Sequence, residues 1–434
     1  MPGGLLQLVS RGAQDLLLTG NPSVSFYKKV YKTYTNFAME SLRMSIDKNF
    51  VSVSETTQYI ARIKRHGDLL QDMYISLQFP RVLKKKDGSN TLEVFQYVKN
   101  LGEVMLKQFA IYVGGTRIDQ QNGEWLHLWN ELSMSSDKRY GYDRMIGNLA
   151  EMFSPDNYNA LDEDDEQIPS YRVFVPLRFW FNRNPGLALP LIALQYHDVE
   201  LHLELRPFRE LYTINGHAPT DEEHARYFGS GGTIEVDPYV ELNYVFLDTA
   251  ERNFFANASH DYLVEQISLI ETENVSRTTF VELPLTNPVK EIVWCFSRND
   301  AKTNNSWFVY TDQMYTDGAM CRCTDSEIME AGTILFNGLE RLEKKDAAYF
   351  NLIQPYQHHR NIPPKGIYCY SFSLNPEHFQ PSGACNWSRI RNVQLVLDRI
   401  NRVPETPAEY DVRVYVVRYN FLRIIGGLGG LAYA

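Results

Sequence analysis

One short segment holds three side chains with the chemistry for a site. His202 stands two residues from Glu200 and two from Glu204. In an extended strand, side chains two apart share a face. An imidazole between two carboxylates can ligate a metal or carry out acid–base chemistry. The same spacing also describes the polar outer face of a half-buried strand, because Val199, Leu201, Leu203 and Leu205 take the alternate positions. The strand-face reading is the expectation. His197 lies five residues from His202 and would face the opposite side, and His358 and His359 would also point apart in an extended chain. Cys321 and Cys323 could supply two thiolates to zinc, but they lack the two-residue spacer and a second pair nearby. The acidic run Asp162 to Glu166 lacks the glycine and spacing of a calcium loop. Four minimal Asn-x-Ser motifs, at Asn257, Asn274, Asn304 and Asn386, are candidate glycosylation sites. The chain has no phosphate loop, no His-Glu-x-x-His and no Gly-x-Ser-x-Gly. Catalytic, cofactor-binding and metal-binding residues are therefore all expected to be absent.

The elements that would position such residues are mainly strands. Met73, Ile75, Leu77 and Phe79 alternate with polar positions, as do Val240, Leu242, Tyr244 and Phe246, and then Val393, Leu395 and Leu397. Phe109 to Val113 runs into Gly114-Gly115 and out through Thr116 to Ile118, which predicts a hairpin with a primed turn. Trp125, Leu128, Trp129 and Leu132 make the stripe of an amphipathic helix. Asp248 precedes Glu251 at capping-box spacing and opens a short helical connector. An order of events recurs: strand, glycine turn (Gly114, then Gly338), aromatic strand, Asn-Pro (Asn184, then Asn375), and a Val-x-Leu-x-Leu strand (Val199, then Val393). Two β modules are expected. Residues 134–168, 209–233 and 298–328 read as excursions from the sheets.

Length and composition bound the function. The chain has 434 residues, enough for two or three domains. A net charge of -10 argues against a surface that binds nucleic acid, and Lys84 to Lys86 reads as a solvated loop tip. Five cysteines, an odd number and all in the second half, imply no disulfide framework and a reducing compartment. No secretory pattern opens the chain, and no run of 18 apolar residues suggests a membrane span. Both ends are apolar. Residues 424–434 carry no charged side chain and the first twenty are leucine-rich, so both ends are expected to bury against something.

Gly3 to Val9, Gly12 to Asp15, Leu18 to Pro22, Tyr34 to Ser41, Pro185 to His197, Phe246 to Thr249, Gln380 to Gly383 and Gly429 to Tyr433 run in one order from end to end. In these stretches the sequence resembles the major capsid proteins of nucleocytoplasmic large DNA viruses, in their chlorella-virus-like form. The resemblance implies an all-β fold of two tandem eight-stranded jelly rolls, with short helices in loops and linker. It implies an N-terminal interior-facing segment at 1–25, a first jelly roll at 26–248, a helical linker at 249–260 and a second jelly roll at 261–434. The implied function is structural and not enzymatic: a homotrimeric pseudo-hexagonal capsomer that tiles an icosahedral viral shell, with no cofactor. Implied partners are other copies of itself, neighbouring capsomers, minor capsid and penton proteins, and an internal viral membrane met through the N-terminal segment. Direct nucleic-acid binding is not expected. The implied location is the virion capsid, assembled in a virus factory in the host cytoplasm. The excursions depart from the family pattern. The alternative from a different class is a carbohydrate-binding or carbohydrate-active β-sandwich, which 27 Tyr and 6 Trp could serve, although no acid pair stands out.

Overall fold

The computed structural model describes residues 3–87, 91–153, 166–275, 277–311, 315–316, 319–320, 327–399 and 409–433. The chain divides into two compact units, residues 1–37 and 38–434. The first unit contains helices α1 (Gly3–Val9) and α2 (Asp15–Thr19), and neither buries a residue. Asp15 closes the turn before α2 by accepting from the Gly12 N–H at 2.9 Å.

Among the described residues, sixteen strands of five residues or more build the rest, with shorter strands beside them. The first eight are β1 (Phe37–Ser45), β2 (Thr57–Ile63), β3 (Leu69–Phe79), β4 (Leu106–Val113), β5 (Thr116–Gln121), β6 (Tyr171–Pro176), β7 (Val199–Leu205) and β8 (Tyr239–Leu247). They form two sheets, in the orders β1-β8-β3-β6 and β2-β7-β4-β5. The second eight are β9 (His260–Thr272), β10 (Thr278–Glu282), β11 (Pro288–Arg298), β12 (Met329–Phe336), β13 (Leu339–Asp346), β14 (Ile367–Ser371), β15 (Val393–Arg399) and β16 (Tyr410–Ile425). Their sheets run β9-β16-β11-β14 and β10-β15-β12-β13, which is the first pattern with every number raised by eight. A chain that alternates between two facing sheets in this order is a jelly roll, and the molecule holds two in tandem.

Local sequence explains most of these elements. In β7 the burial alternates strictly, and Leu201 sits in register with Ala61 of β2 and Ile111 of β4. Gly114 and Gly115 turn the β4–β5 hairpin at φ 56° and 78°, and Asn337 and Gly338 turn the β12–β13 hairpin at 51° and 80°. The two hairpins hold the same place in the two modules. A primed turn needs both central residues at positive φ, which these residue types accept. Helix α3 (Gly123–Ser133) follows the predicted stripe, with the Asn122 side chain accepting from the Trp125 N–H at 2.8 Å. Helix α4 (Ser136–Ile146) lies in the first excursion. The connector is α5 (Thr249–Asn257). Asp248 caps it by accepting from the Thr249 N–H at 2.7 Å, without the reciprocal Glu251 bond that the spacing predicts.

Three apolar clusters hold the body together. One fills the first sandwich, with Met73, Ile111, Leu201 and Tyr244 inside it. A second fills the other sandwich around Trp294, Phe350, Leu395 and Val414. The third lies between them, where Trp125, Leu128, Trp129 and Leu132 of α3 pack on Val293, Cys295, Ile367, Tyr415 and Val417. The sheet holding β11 is therefore covered on both faces, and ten of its eleven residues are buried. β13, in contrast, is an outer strand, and exposed Glu340, Arg341, Glu343 and Lys344 line it.

The C-terminal tail is a strand. Gly426 and Gly427, at φ 60° and 86°, turn β16 back on itself as β17 (Leu428–Leu431). The Gly427 carbonyl accepts from the Tyr196 N–H at 3.1 Å, which ties this end to the body, but the expected burial is not met: Ile425, Leu428 and Tyr433 stay exposed. A Cβ at Gly427 would come within 2.6 Å of the Tyr196 ring, so this approach needs glycine. One expectation is corrected: Lys84 is buried rather than a solvated tip, although Lys85 and Lys86 are half-exposed.

Candidate functional site

The residues singled out by their chemistry do not converge. His202 lies on the outer face of β7, with Nε2 3.1 Å from Glu200 Oε2 and its ring stacked on Tyr112 at 4.1 Å. Glu200 also pairs with Arg62 of β2 at 3.0 Å, and Glu204 accepts from Gln58 at 3.0 Å. These bonds lace neighbouring strands across a solvated face, where each pair is worth about 0–1 kcal/mol. His197 precedes β7, so the strand-face spacing does not apply to it, and its Nδ1 lies 3.0 Å from the Gly429 carbonyl oxygen. Among the described residues, no group of three or more His, Cys, Asp or Glu is placed to hold a metal ion. Cys321, Cys323 and the acidic run 162–165 lie outside the described residues. Cys295 and Cys369 are free and buried, and burial pushes both thiols up. Asn257, Asn274 and Asn386 are exposed, and Asn304 is half-buried.

The polar groups that the fold does bring together are at the junction of the two jelly rolls. Glu265 of β9 accepts from Lys290 of β11 at 2.5 Å and from Arg183, which reaches across from the first module. Burial pushes the Glu265 carboxyl up, but Lys290 and Arg183 outweigh it and hold the group below the usual range. The Arg183 guanidinium also lies over the Trp129 ring of α3, 4.8 Å from its centroid. On the other side of α3, Glu124 accepts from Arg413 at 2.6 Å and from the Tyr415 hydroxyl at 2.7 Å, both on β16. Burial opposes ionisation of Glu124, and Arg413 and Tyr415 overcome that too. Buried charges persist only when paired in this way. His359 is fully enclosed, 3.1 Å from Glu291 Oε2 and 3.4 Å from Glu377 Oε1. Burial favours neutral imidazole there, but Glu291 prevails and the pKa lies well above its ordinary value.

These charges were hard to find in the sequence. Lys290 and Glu291 interrupt an otherwise apolar strand, and that interruption is the signal. The arrangement does no covalent chemistry. It fixes α3 of one module between two charge clusters at the junction, within the compact unit 38–434.

Asp119 of β5 belongs to the same junction, accepting from Gln121 Nε2 at 2.7 Å and from the Ile267 N–H of β9 at 3.3 Å. Burial raises its pKa from 3.8 to about 6, against the pull of Gln121. A carboxyl raised in the folded state contributes stability that is full below its unfolded pKa and is lost as pH rises through the folded one. Asp119→Asn should therefore flatten stability between about pH 4 and pH 7 and gain about 1–3 kcal/mol over the parent at neutral pH. Thermal midpoints across that range check this. A pH profile identical to the parent's would mean the carboxylate is already ionised in the fold.

Comparison with known proteins adds independent findings. A family model described as "Major capsid protein N-terminus" matches residues 25–248. Another, "Large eukaryotic DNA virus major capsid protein", matches residues 251–430. The major capsid protein of Phaeocystis pouchetii virus is 33% identical, with 100% of each chain covered. That of Paramecium bursaria Chlorella virus 1 is 34% identical, again over 100% of both chains. Among solved structures, a chain of the PBCV-1 virus capsid quasi-atomic model superposes with a TM-score of 0.77 at 29% identity. That alignment covers 94% of this chain and 100% of the other. The Faustovirus major capsid protein shares the fold, with a TM-score of 0.73 at 14% identity over 96% and 94% of the two chains.

Proposed function

This chain belongs to the major capsid proteins of large eukaryotic DNA viruses, and from that premise we propose that three copies close into a pseudo-hexagonal capsomer that tiles an icosahedral shell. The family is structural and not enzymatic, which sets aside the carbohydrate-active alternative. The protein is a component of the virion shell and associates with copies of itself there. The observation that carries the trimer is the duplicated strand order. Two like modules per chain give six like units from three chains, and a ring of identical contacts closes without leaving a free edge.

The finer assignments follow the same reading. The working division is an N-terminal segment at 1–25, jelly rolls at 26–248 and 261–434, and a linker at 249–260. The N-terminal segment faces the interior, towards minor capsid proteins and an internal membrane. Support comes from its own apolar surface, since Leu5, Leu6, Leu8, Leu16, Leu17 and Leu18 are all exposed. Penton proteins and neighbouring capsomers meet the body. A net charge of -10 speaks against direct nucleic-acid binding. Assembly takes place in a virus factory of the host cytoplasm. Asn257, Asn274 and Asn386, being exposed, are the sequons open to a glycan, and Asn304 is less so.

Light scattering on the purified full chain tests the trimer. The expected mass is about three times the 50.3 kDa of one chain, held by an interface larger than about 1,600 Å². A monomer at micromolar concentration would overturn the reading. Deleting residues 426–434 removes β17 and its contacts with Tyr196 and His197. That truncation should lower trimer yield or solubility, and an undiminished yield of trimer would remove the tail from assembly.

A further inference from the structure

The junction of the two jelly rolls encloses a cavity of about 590 Å³, within the range of small-ligand sites. Residues of both modules line it, and four are cations: Lys138, Arg178, Arg183 and Arg360. Two of these are engaged. Arg183 pairs with Glu265 and covers Trp129, and Arg360 lies 3.8 Å from Glu377. Arg178 is different. Its carbonyl accepts from Gln121 at 3.1 Å, but its guanidinium makes no hydrogen bond, ion pair or ring contact among the described residues. It is half-buried; burial depresses its pKa and Arg183 adds to that, while Tyr142, Glu103 and Glu377 pull the other way.

A half-buried guanidinium whose N–H groups have no protein acceptor still has donor capacity to fill. The carboxylates around the cavity do not meet that need. Glu265 is held by Lys290 and Arg183, and Glu377 by His359 and the Arg360 N–H at 2.7 Å. Asp72 accepts from the Asn243 side chain at 3.4 Å. Lys138 is exposed, forms no side-chain bond among the described residues and lines the same space. Two uncommitted cations therefore share one cavity, one of them with the planar fork that suits an oxyanion.

We propose that this cavity binds a small, multiply charged oxyanion, phosphate or the phosphate group of a small molecule, with Arg178 as its anchor and Lys138 as its second contact. This goes beyond the shell role and does not depend on the trimer. Both contacts come from the first module, and the second module supplies the facing wall with Leu263, Glu265 and Phe379.

Isothermal titration of the purified full chain tests it, using sodium phosphate, pyrophosphate and adenosine monophosphate, with chloride at matched ionic strength as the blank. At least one should bind saturably. A preference for adenosine monophosphate would place an aromatic group against the Tyr74 and Trp180 walls, and a preference for the inorganic ions would assign the site to free phosphate. Arg178→Gln should weaken binding by about tenfold or more. Should that variant not fold, Arg178→Lys replaces it, keeping the charge but losing the fork, and weaker binding is again expected. Lys138→Met, at an exposed position, should keep the fold and bind more weakly than the parent. Absence of saturable binding by all three anions, or undiminished binding in the Arg178 variant, would overturn the proposal.

Discussion

Leu201→Asp is expected to leave no soluble folded protein. Leu201 is fully buried at the middle of β7, and β7 is an inner strand with partners on both sides. Its neighbours in register, Ala61 and Ile111, are buried and apolar, so the core around it holds Tyr59, Leu203 and Ile111 rather than any cation. The substitution loses about 2–3 kcal/mol of apolar burial. It also places an unpaired carboxylate in the core, which costs several kcal/mol more. A domain is stable by only about 5–15 kcal/mol, so the sum consumes most or all of it. Soluble yield and thermal unfolding measure the effect. Glu200→Gln, on the other face of the same strand, is the control and should stay within about 0.5 kcal/mol of the parent. A soluble Leu201→Asp protein with the parent's midpoint would reverse the assignment of which face is inside.

Arg413→Met should cost about 3–5 kcal/mol, because it leaves Glu124 buried with no cation. Arg413 bonds Glu124 at 2.6 Å and approaches Glu271 at 3.2 Å, and Glu124 comes from α3 of the other module. The loss should appear as weakened coupling between modules, with a broader or divided calorimetric transition. Combining it with Glu124→Gln should recover much of the loss, since neither charge then remains. An Arg413→Met midpoint equal to the parent's would mean that water already reaches the pair. In that case the junction is held by its apolar cluster alone.

The legible parts of the fold were those where one face is wet. β7 alternates because its outer face meets solvent, and the Gly114-Gly115 turn shows because few residue types accept positive φ at both central positions. The stripe of α3 marked a helix correctly, but a stripe does not name what it packs on, and here it meets the second module. β11 carries no alternation because both of its faces are covered, so the period that reveals β7 is missing around Lys290 and Glu291. Lys84 misled for the opposite reason: a run of three lysines reads as solvated, yet its first member is drawn inside. The tail was read as an apolar lid. Its double glycine is the same turn signal as at Gly114, and it makes a further strand. The candidate site at His202 dissolved into cross-strand pairing, and the polar groups that matter lie far apart in sequence, where spacing carries no information.

The charges along β13 have a consequence for a molecule that must accumulate in bulk before it is used. An open strand invites another copy to add its own backbone, and that addition has no natural stopping point. Glu340, Arg341, Glu343 and Lys344 on the outermost strand make such stacking unfavourable. Fibre growth by addition to this edge is thereby disfavoured.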